Sequence, residues 1–411
     1  MCYKLVFFAV VTLSNFVHAE NLLGALQKTY KNNPKILAGR EKYAAQRSLQ
    51  DQAFSVFLPD VRIGYSQGNS EVGKTSGEFK NMQVSVEQTL FRGGELIGQY
   101  HAAKEALNAE KAQILLKEEE VLFEAISAYL EVIRDREIYK LNEHNVRTLE
   151  QYQERAKARY DLGDATRTDL AFAQSRLSAT ISEKLRAAAA VTSSESGYQQ
   201  IIGEEPINLE MPQNMPQLPA KLEDAVETAS RNNYALGAAN SRQKAAQLSA
   251  KSASARLLPT ISASFSATFD NKENMDKQIV SLNVSFPILN KGGSNIWKIS
   301  EAKHNAGNAR YEYLDAARTI KKAVTVAWKN IEVAKSAIKS SQDAINAAQI
   351  ALLATQQEYD LGTKTMLDIL DAERELFATR VNLTKAKHEH MILSYRLIFL
   401  MGMLNLSNIT L

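Results

Sequence analysis

Few residues able to do covalent or metal chemistry occur in this sequence, and those present are scattered. His101, His144 and His304 stand alone. His388 and His390 are two apart, which puts them on different sides of a helix, whereas a helical zinc pair stands at i and i+4. The single cysteine, Cys2, lies at the extreme N-terminus, so the rest of the chain has no thiol nucleophile, disulfide or cysteine-ligated metal. No phosphate-cradling glycine loop or serine-nucleophile motif is present. One acidic pair remains: Asp368 and Asp371 are three apart and share a helix face. It can attract cations, or it can simply complement the positive end of a helix dipole. These residues predict a protein that is not an enzyme and holds no cofactor. The formal charge of +3 is spread over interspersed acids and bases, so no nucleic-acid partner is expected.

The elements that carry these residues follow from patterning. Residues 1–19 combine Lys4, an apolar stretch from Leu5 to Leu13 and the small-residue end Val17-His18-Ala19, the layout of a signal peptide cleaved after Ala19. Its removal takes Lys4 and leaves a formal charge of +2. No later segment has the roughly 18 apolar residues a spanning helix needs. An exported chain of this kind is either soluble or a β-barrel.

Sliding the sequence against itself by about 200 residues exposes an internal duplication. Asn32-Asn33 recurs as Asn232-Asn233, Leu58-Pro59 as Leu258-Pro259, and Gly93-Gly94 as Gly292-Gly293. Tyr160-Asp161-Leu162-Gly163 recurs as Tyr359-Asp360-Leu361-Gly362, and Gly203 as Gly402. Between the copies, Pro206, Pro212, Pro216 and Pro219 mark an extended linker, because proline neither donates a backbone hydrogen bond nor fits a helix interior. The organisation is therefore a first repeat over 20–203, a linker over 204–220 and a second repeat over 221–411.

Each repeat reads as helix, strand pair, long helix, tight turn and helix. Ile261, Ala263, Phe265, Ala267 and Phe269 alternate with Ser262, Ser264, Ser266 and Thr268, and Val280, Leu282, Val284 and Phe286 alternate with Ser281, Asn283 and Ser285. In the first repeat Val61, Ile63 and Tyr65 alternate with Arg62, Gly64 and Ser66, and Met82, Val84 and Val86 with Gln83, Ser85 and Glu87. Four strands of about 9–11 residues are predicted, a length that crosses a bilayer when tilted. Gln67 to Glu78 and Asp270 to Lys277 read as polar loops. From Gly94 to Leu162 only Gly98 interrupts a helical pattern worth roughly 100 Å of helix. In the second repeat Ile320, Val324, Ala327, Ile331, Ala334, Ile338, Ser341, Ile345, Ala348, Leu352, Thr355 and Tyr359 alternate spacings of four and three, a coiled-coil seam. Asp135 and Asn142 interrupt the equivalent stripe of the first repeat. Trp297, soon after the second strand pair, stands near the membrane interface or in a packed core.

Four amphipathic strands cannot close a barrel alone, and an open sheet leaves unpaired edges in lipid. The protomer must borrow strands from copies of itself. The chain resembles the TolC-like outer-membrane efflux proteins along essentially its whole mature length. The resemblance is carried by the duplicated plan, the two Leu-Pro pairs, the strand endings Leu90-Phe91-Arg92-Gly93-Gly94 and Pro287-Ile288-Leu289-Asn290-Lys291-Gly292-Gly293, and the turns Tyr160–Gly163 and Tyr359–Gly362. It implies a mainly α fold with a β-barrel part: a homotrimer with a twelve-stranded barrel in outer-membrane lipid and a long coiled-coil α-barrel across the periplasm. The function implied is the passive exit duct of a tripartite efflux pump or type I secretion system. Docking to a periplasmic adaptor and an inner-membrane transporter would open it.

The resemblance also assigns roles to residues. Leu162, Gly163, Leu361 and Gly362 become adaptor-docking tip turns, with glycine supplying the left-handed conformation that ends a helix. Asp368 and Asp371 match the constriction residues, where threefold symmetry would gather six carboxylates. Tyr359 matches a gating tyrosine and Lys364 a basic gate residue facing Thr168 and Asp169, although lysine lacks the planar two-point contact of the arginine common there. The chain ends at Leu411 soon after Gly402, so a reduced equatorial collar is expected. Two rivals stand beside the duct: an exported periplasmic coiled-coil interaction protein without a pore, which the four alternating strands disfavour, and a periplasmic hydrolase, for which no site residues exist.

Overall fold

The computed structural model describes residues 20–72, 75–212, 215–270, 277–287 and 290–406, so the signal peptide, the links 73–74, 213–214 and 271–276, Ile288-Leu289 and the last five residues lie outside the described ones. The described chain runs twice through one series of elements. The first pass is α1 (Leu22–Asn32), α2 (Pro34–Ser55), β1 (Asp60–Val72), β2 (Thr75–Arg92), α3 (Glu95–Asp161) and α4 (Arg167–Ile202). The second is α5 (Leu222–Asn232), α6 (Tyr234–Ala255), β3 (Thr260–Asp270), β4 (Lys277–Ser285), α7 (Ser294–Asp360) and α8 (Met366–Leu400). Helices α3 and α7 each have 67 residues, so each extends about 100 Å at 1.5 Å per residue. No described helix is both long and apolar enough to cross a membrane.

The strands form one antiparallel sheet in the order β1-β2-β3-β4, so β2 and β3 join the two passes and β1 and β4 are its edges. The register stacks like with like: Val61, Val86, Phe265 and Val280 form one row, and Asp60, Glu87, Ser264 and Ser281 the neighbouring row on the opposite face. A register shift between Thr89 and Phe91 sets Phe91 opposite Ile261 on the apolar face, which strict alternation would have denied it. β3 and β4 have the expected lengths, 11 and 9 residues. β1 and β2 do not: they reach 13 and 18, and the predicted loop from Gln67 to Glu78 is a continued ladder from Gln67↔Lys80 to Val72↔Thr75. Backbone pairing needs no apolar alternation, so polar composition there did not signal a loop. Within it the Phe79 ring covers Gly68, with a ring carbon 3.0 Å from where a Cβ would stand.

Two apolar cores hold the helices. The larger gathers α1, α5, the middle of α3 and α7 and the ends of α4 and α8 around the fully buried Leu26, Ile126, Tyr129, Tyr198, Val324 and Leu397. The smaller, near the helix turns, collects Leu149, Tyr152, Ala156, Ala173, Ile345, Leu352, Met366, Ile369 and Leu370. All the α7 seam residues from Ile320 to Tyr359 are buried or half-buried. On α3 Asp135 is buried but ion-paired with Arg134 at 2.7 Å, and Asn142 donates to the Ile138 carbonyl oxygen at 2.9 Å. Gly98 is where α6 crosses: a Cβ there would stand 2.9 Å from that of Ser252. Ser252 donates to the Glu95 carbonyl oxygen at 2.9 Å, and Arg256 pairs with the buried Glu95 side chain at 2.7 Å.

The duplicated asparagines turn out to be joints. Asn33 separates α1 from α2; its Oδ1 accepts the Lys35 N–H at 2.9 Å, and its Nδ2 donates to the Ile201 carbonyl oxygen at the end of α4, 2.7 Å away. Asn233 does the same between α5 and α6, accepting from Leu236 N–H at 3.1 Å and donating to Leu400 O at the end of α8 at 2.9 Å. Over its described residues the proline-rich linker lacks helix, with Glu20 bridging to it in parallel at Leu209. The buried Tyr129 hydroxyl lies 2.8 and 2.6 Å from the Glu20 and Glu210 carbonyl oxygens, and Tyr198 donates to the Glu20 carboxylate at 2.9 Å. Glu119 accepts the Leu404 N–H at 2.9 Å, and burial pushes its carboxyl up to about 8.

Asn233→Ala removes a cap and orphans a helix-end carbonyl, for an expected loss of about 1–3 kcal/mol. Asn233→Asp keeps the acceptor but sets a carboxylate oxygen against the Leu400 carbonyl oxygen, so it too falls below the parent. Denaturation midpoints of the detergent-solubilised protein check the order.

Candidate functional site

The far ends of the long helices carry most of the residues singled out by sequence. Both turns close alike. Gly163 has φ +83° and Gly362 φ +77°, the left-handed region. Gly163 N–H donates to Tyr160 O at 3.0 Å and Asp164 N–H to Arg159 O at 2.8 Å; Gly362 and Thr363 repeat this onto Tyr359 and Glu358, both at 2.9 Å. The residues before the glycines have no packing reason to be apolar: Leu162 is 77% exposed and Leu361 79%. Two isolated leucines at the tip are therefore available to a partner surface.

After each turn a threonine caps the returning helix. Thr166 and Asp169 form a reciprocal capping box, as do Thr365 and Asp368. One Asp368 carboxylate oxygen accepts the Thr365 N–H at 2.8 Å and its hydroxyl at 2.7 Å. These bonds, the backbone one first, together with the Lys364 charge hold Asp368 below the usual carboxylate range. The pattern Thr-x-x-Asp at both turns is the local signal of this box, hidden when the aspartates are read as charges alone. Asp371 is not a bare acid: Arg176 of α4 donates to its Oδ1 at 2.7 Å, and the Arg374 guanidinium stands 3.7 Å away.

The expected gate residues are not joined within the protomer. Asp169 is turned onto Thr166, with its Oδ2 at 2.7 Å from the threonine hydroxyl, because it serves as the helix cap. The Tyr359 ring lies under the Arg159 guanidinium, 4.8 Å from its centroid. Thr168 and Lys364 are exposed, and among the described residues Lys364 makes no ion pair. What the structure adds is a hub one turn further in. The Tyr152 hydroxyl donates to Glu373 Oε1 at 2.9 Å and accepts from Gln356 Nε2 at 2.7 Å, tying α3 to α7 and α8. Burial, and after it the Glu373 charge, push this phenol up to about 12. A cavity lined by Tyr152, Arg155, Arg159, Gln356, Tyr359 and Ile369 separates the hub from the turn. Its partners stand 221 and 204 positions apart, and no local pattern links them.

The other polar candidates give no site. His388 on α8 is lowered to about 4 by burial and by Arg134, and His390 is likewise lowered by burial. Among the described residues no group of three or more His, Cys, Asp and Glu side chains is placed to hold a metal ion.

The family model described as outer membrane efflux protein matches residues 25–204 and 225–403. The chain is similar to the outer membrane efflux protein BepC of Brucella suis biovar 1, 28% identical over 386 residues, covering 92% of this chain and 85% of that one. With the outer membrane protein TolC of Vibrio cholerae it shares 24% identity over 93% of this chain and 91% of the other. The solved outer membrane protein VceC of Vibrio cholerae has a similar fold, with TM-score 0.84 at 17% identity over 93% of this chain and 96% of that one.

Tyr152→Phe leaves Glu373 and Gln356 without their shared partner and is expected to cost about 1–2 kcal/mol, seen as faster amide hydrogen exchange around Ile345 to Leu376 and not around Tyr129. The folded state keeps the phenol proton to about pH 12 while the unfolded chain loses it near 10, so the contact's contribution is full below that window and falls as pH rises through it. Tyr152→Phe should lack this alkaline loss.

Proposed function

This chain belongs to the outer membrane efflux protein family, and from that premise we propose that it acts as one of three identical subunits of a passive duct whose tips open on docking. Its class and location follow from the family: an outer-membrane channel serving efflux or type I secretion. The family's members are channels and not enzymes.

One observation carries the self-association, with the number three taken from the family: the sheet ends in two edge strands, β1 and β4, each unpaired on its outer side, while its apolar face is bare. Ile63 is 71% exposed and Val280 82%, and Leu282 and Val284 further along β4 are each 66% exposed, so this face needs an apolar solvent. Unpaired backbone groups in hydrocarbon cost several kcal/mol each, and lipid offers them no partner. Pairing β1 of each copy with β4 of the next supplies those partners, and three copies of four strands make a closed barrel of twelve. The helices have matching needs: Val326 and Val333 on α7, and Ile181 and Leu185 on α4, are apolar and exposed in the lone chain. A soluble, pore-free coiled coil leaves the bare sheet face unexplained.

In this reading the long helices are the staves of a periplasmic tunnel, and the turns at Leu162-Gly163 and Leu361-Gly362 meet a periplasmic adaptor coupled to an inner-membrane transporter. The transporter supplies energy and selects cargo. Asp368 and Asp371 form the constriction above the turns. The closed tip is held within each subunit by Tyr359 under Arg159, and between subunits by Lys364 of one copy against Thr168 and Asp169 of the next. Docking breaks these contacts.

One cysteine in β1 and one in β4 should give disulfide-linked species up to a trimer and no further; a detergent-independent monomer that conducts no ions across a lipid film would sink the proposal. Leu162→Asp with Leu361→Asp should weaken export about tenfold or more, the scale of losing two interface anchors, while trimer mass and conductance persist. Unchanged export would remove the docking role.

A further inference from the structure

Taking the assignment of Asp368 and Asp371 to the constriction as premise, we infer that Arg176 sets the cation selectivity of this duct by neutralising Asp371. Arg176 reaches from α4 to α8, and its Nη2 lies 2.7 Å from Asp371 Oδ1. Arg374 stands 3.7 Å from the same oxygen. Glu373, next to Arg374 in sequence, is turned to Tyr152 and adds nothing to this group. Each subunit therefore brings two carboxylates, Asp368 and Asp371, and two guanidiniums, Arg176 and Arg374, to this level, and their formal charges cancel.

The pair is not inherited from the duplication. In the offset of 199 that aligns Gly163 with Gly362, the counterpart of Asp371 is Phe172 and that of Arg176 is Glu375. Both members thus differ from their counterparts, and the cation stands on one repeat and the anion on the other. Nor does stability account for it. The side chains are 32% and 46% exposed, and an ion pair this open to water contributes little to folding. Its effect on a permeating ion is larger. A lone carboxylate acts as a monopole across a narrow lumen, whereas a paired one presents a dipole whose field falls off faster and is screened within about 8 Å at physiological ionic strength. Threefold repetition multiplies the difference, because removing Arg176 would leave three carboxylates at one level with only the more distant Arg374 guanidinium beside each.

The test is ion selectivity and trivalent-cation block of the intact trimer in planar bilayers, with lanthanum ion as the probe. Arg176→Gln should raise the cation-to-anion permeability ratio several-fold and tighten lanthanum block about tenfold. Arg176→Glu should go further in the same direction, and Arg176→Lys should stay near the parent. Asp368→Asn, which removes the unpaired acid, should shift both readouts the opposite way. If Asp368→Asn shifts them and Arg176→Gln does not, the role of Arg176 is overturned while the constriction stands. If neither variant moves them, both fall. A purely mechanical role for Arg176 predicts that Gln and Glu act alike on conductance regardless of charge, and that outcome also overturns the inference. Trimer mass of every variant shows that assembly is retained.

Discussion

The requirement that every backbone polar group in lipid be hydrogen-bonded governs this molecule. Four strands satisfy it internally but leave the outer edges of β1 and β4 open, and the apolar face of the same sheet forbids retreat into water. In the proposed trimer the remedy is more copies, and more copies impose symmetry on everything attached to the sheet. Each strand pair runs on through a glycine pair into a 67-residue helix, so closing the barrel also arranges the long helices in a ring. In that proposed assembly the tunnel is a geometric consequence of the barrel.

Duplication provides the parts and small departures from it provide the function. The Asn33 and Asn233 joints make matching bonds, at 2.7 and 2.9 Å, to the ends of α4 and α8, which is why the asparagine pairs recur. The long helices differ where their neighbours differ. Asp135 and Asn142 on α3 correspond to Ala334 and Ser341 on α7. Helix α3 packs against α2, α4, α6 and α8, and its polar stripe residues are satisfied from within the helix, Asp135 by Arg134 and the Asn142 amide by the Ile138 carbonyl oxygen. The small residues on α7 let α8 approach closely along a regular seam.

What could be read from the sequence was what repeats locally. The α7 seam, the alternating strands and the glycine turns announce themselves through spacings of two, three and four residues, and the structure holds them where they were expected. The extended hairpin of β1 and β2 was missed because its polar residues obey the backbone and not the lipid. The capping boxes were legible as Thr166-x-x-Asp169 and Thr365-x-x-Asp368, and reading the aspartates only as charges hid their service to the helix ends. Tyr152 with Glu373 and Arg176 with Asp371 join residues 221 and 195 positions apart, so only the folded chain brings them together.

The division into two cores bears on how such a structure can open without coming apart. The larger core binds both repeats, the linker and the C-terminal turn through Leu404, and the asparagine joints bond to Ile201 and Leu400 packed against it. The smaller core near the turns rests on fewer buried side chains and on polar contacts, Tyr152 with Glu373 and Gln356, that are directional and exchange readily for water once separated. Local opening takes its free energy from the contacts it breaks, so parting the helices at the tip leaves the larger core untouched. In the proposed trimer the barrel edges, whose hydrogen bonds would have no alternative in lipid, are the costliest contacts to part, and the smaller core near the helix tips is the cheaper one.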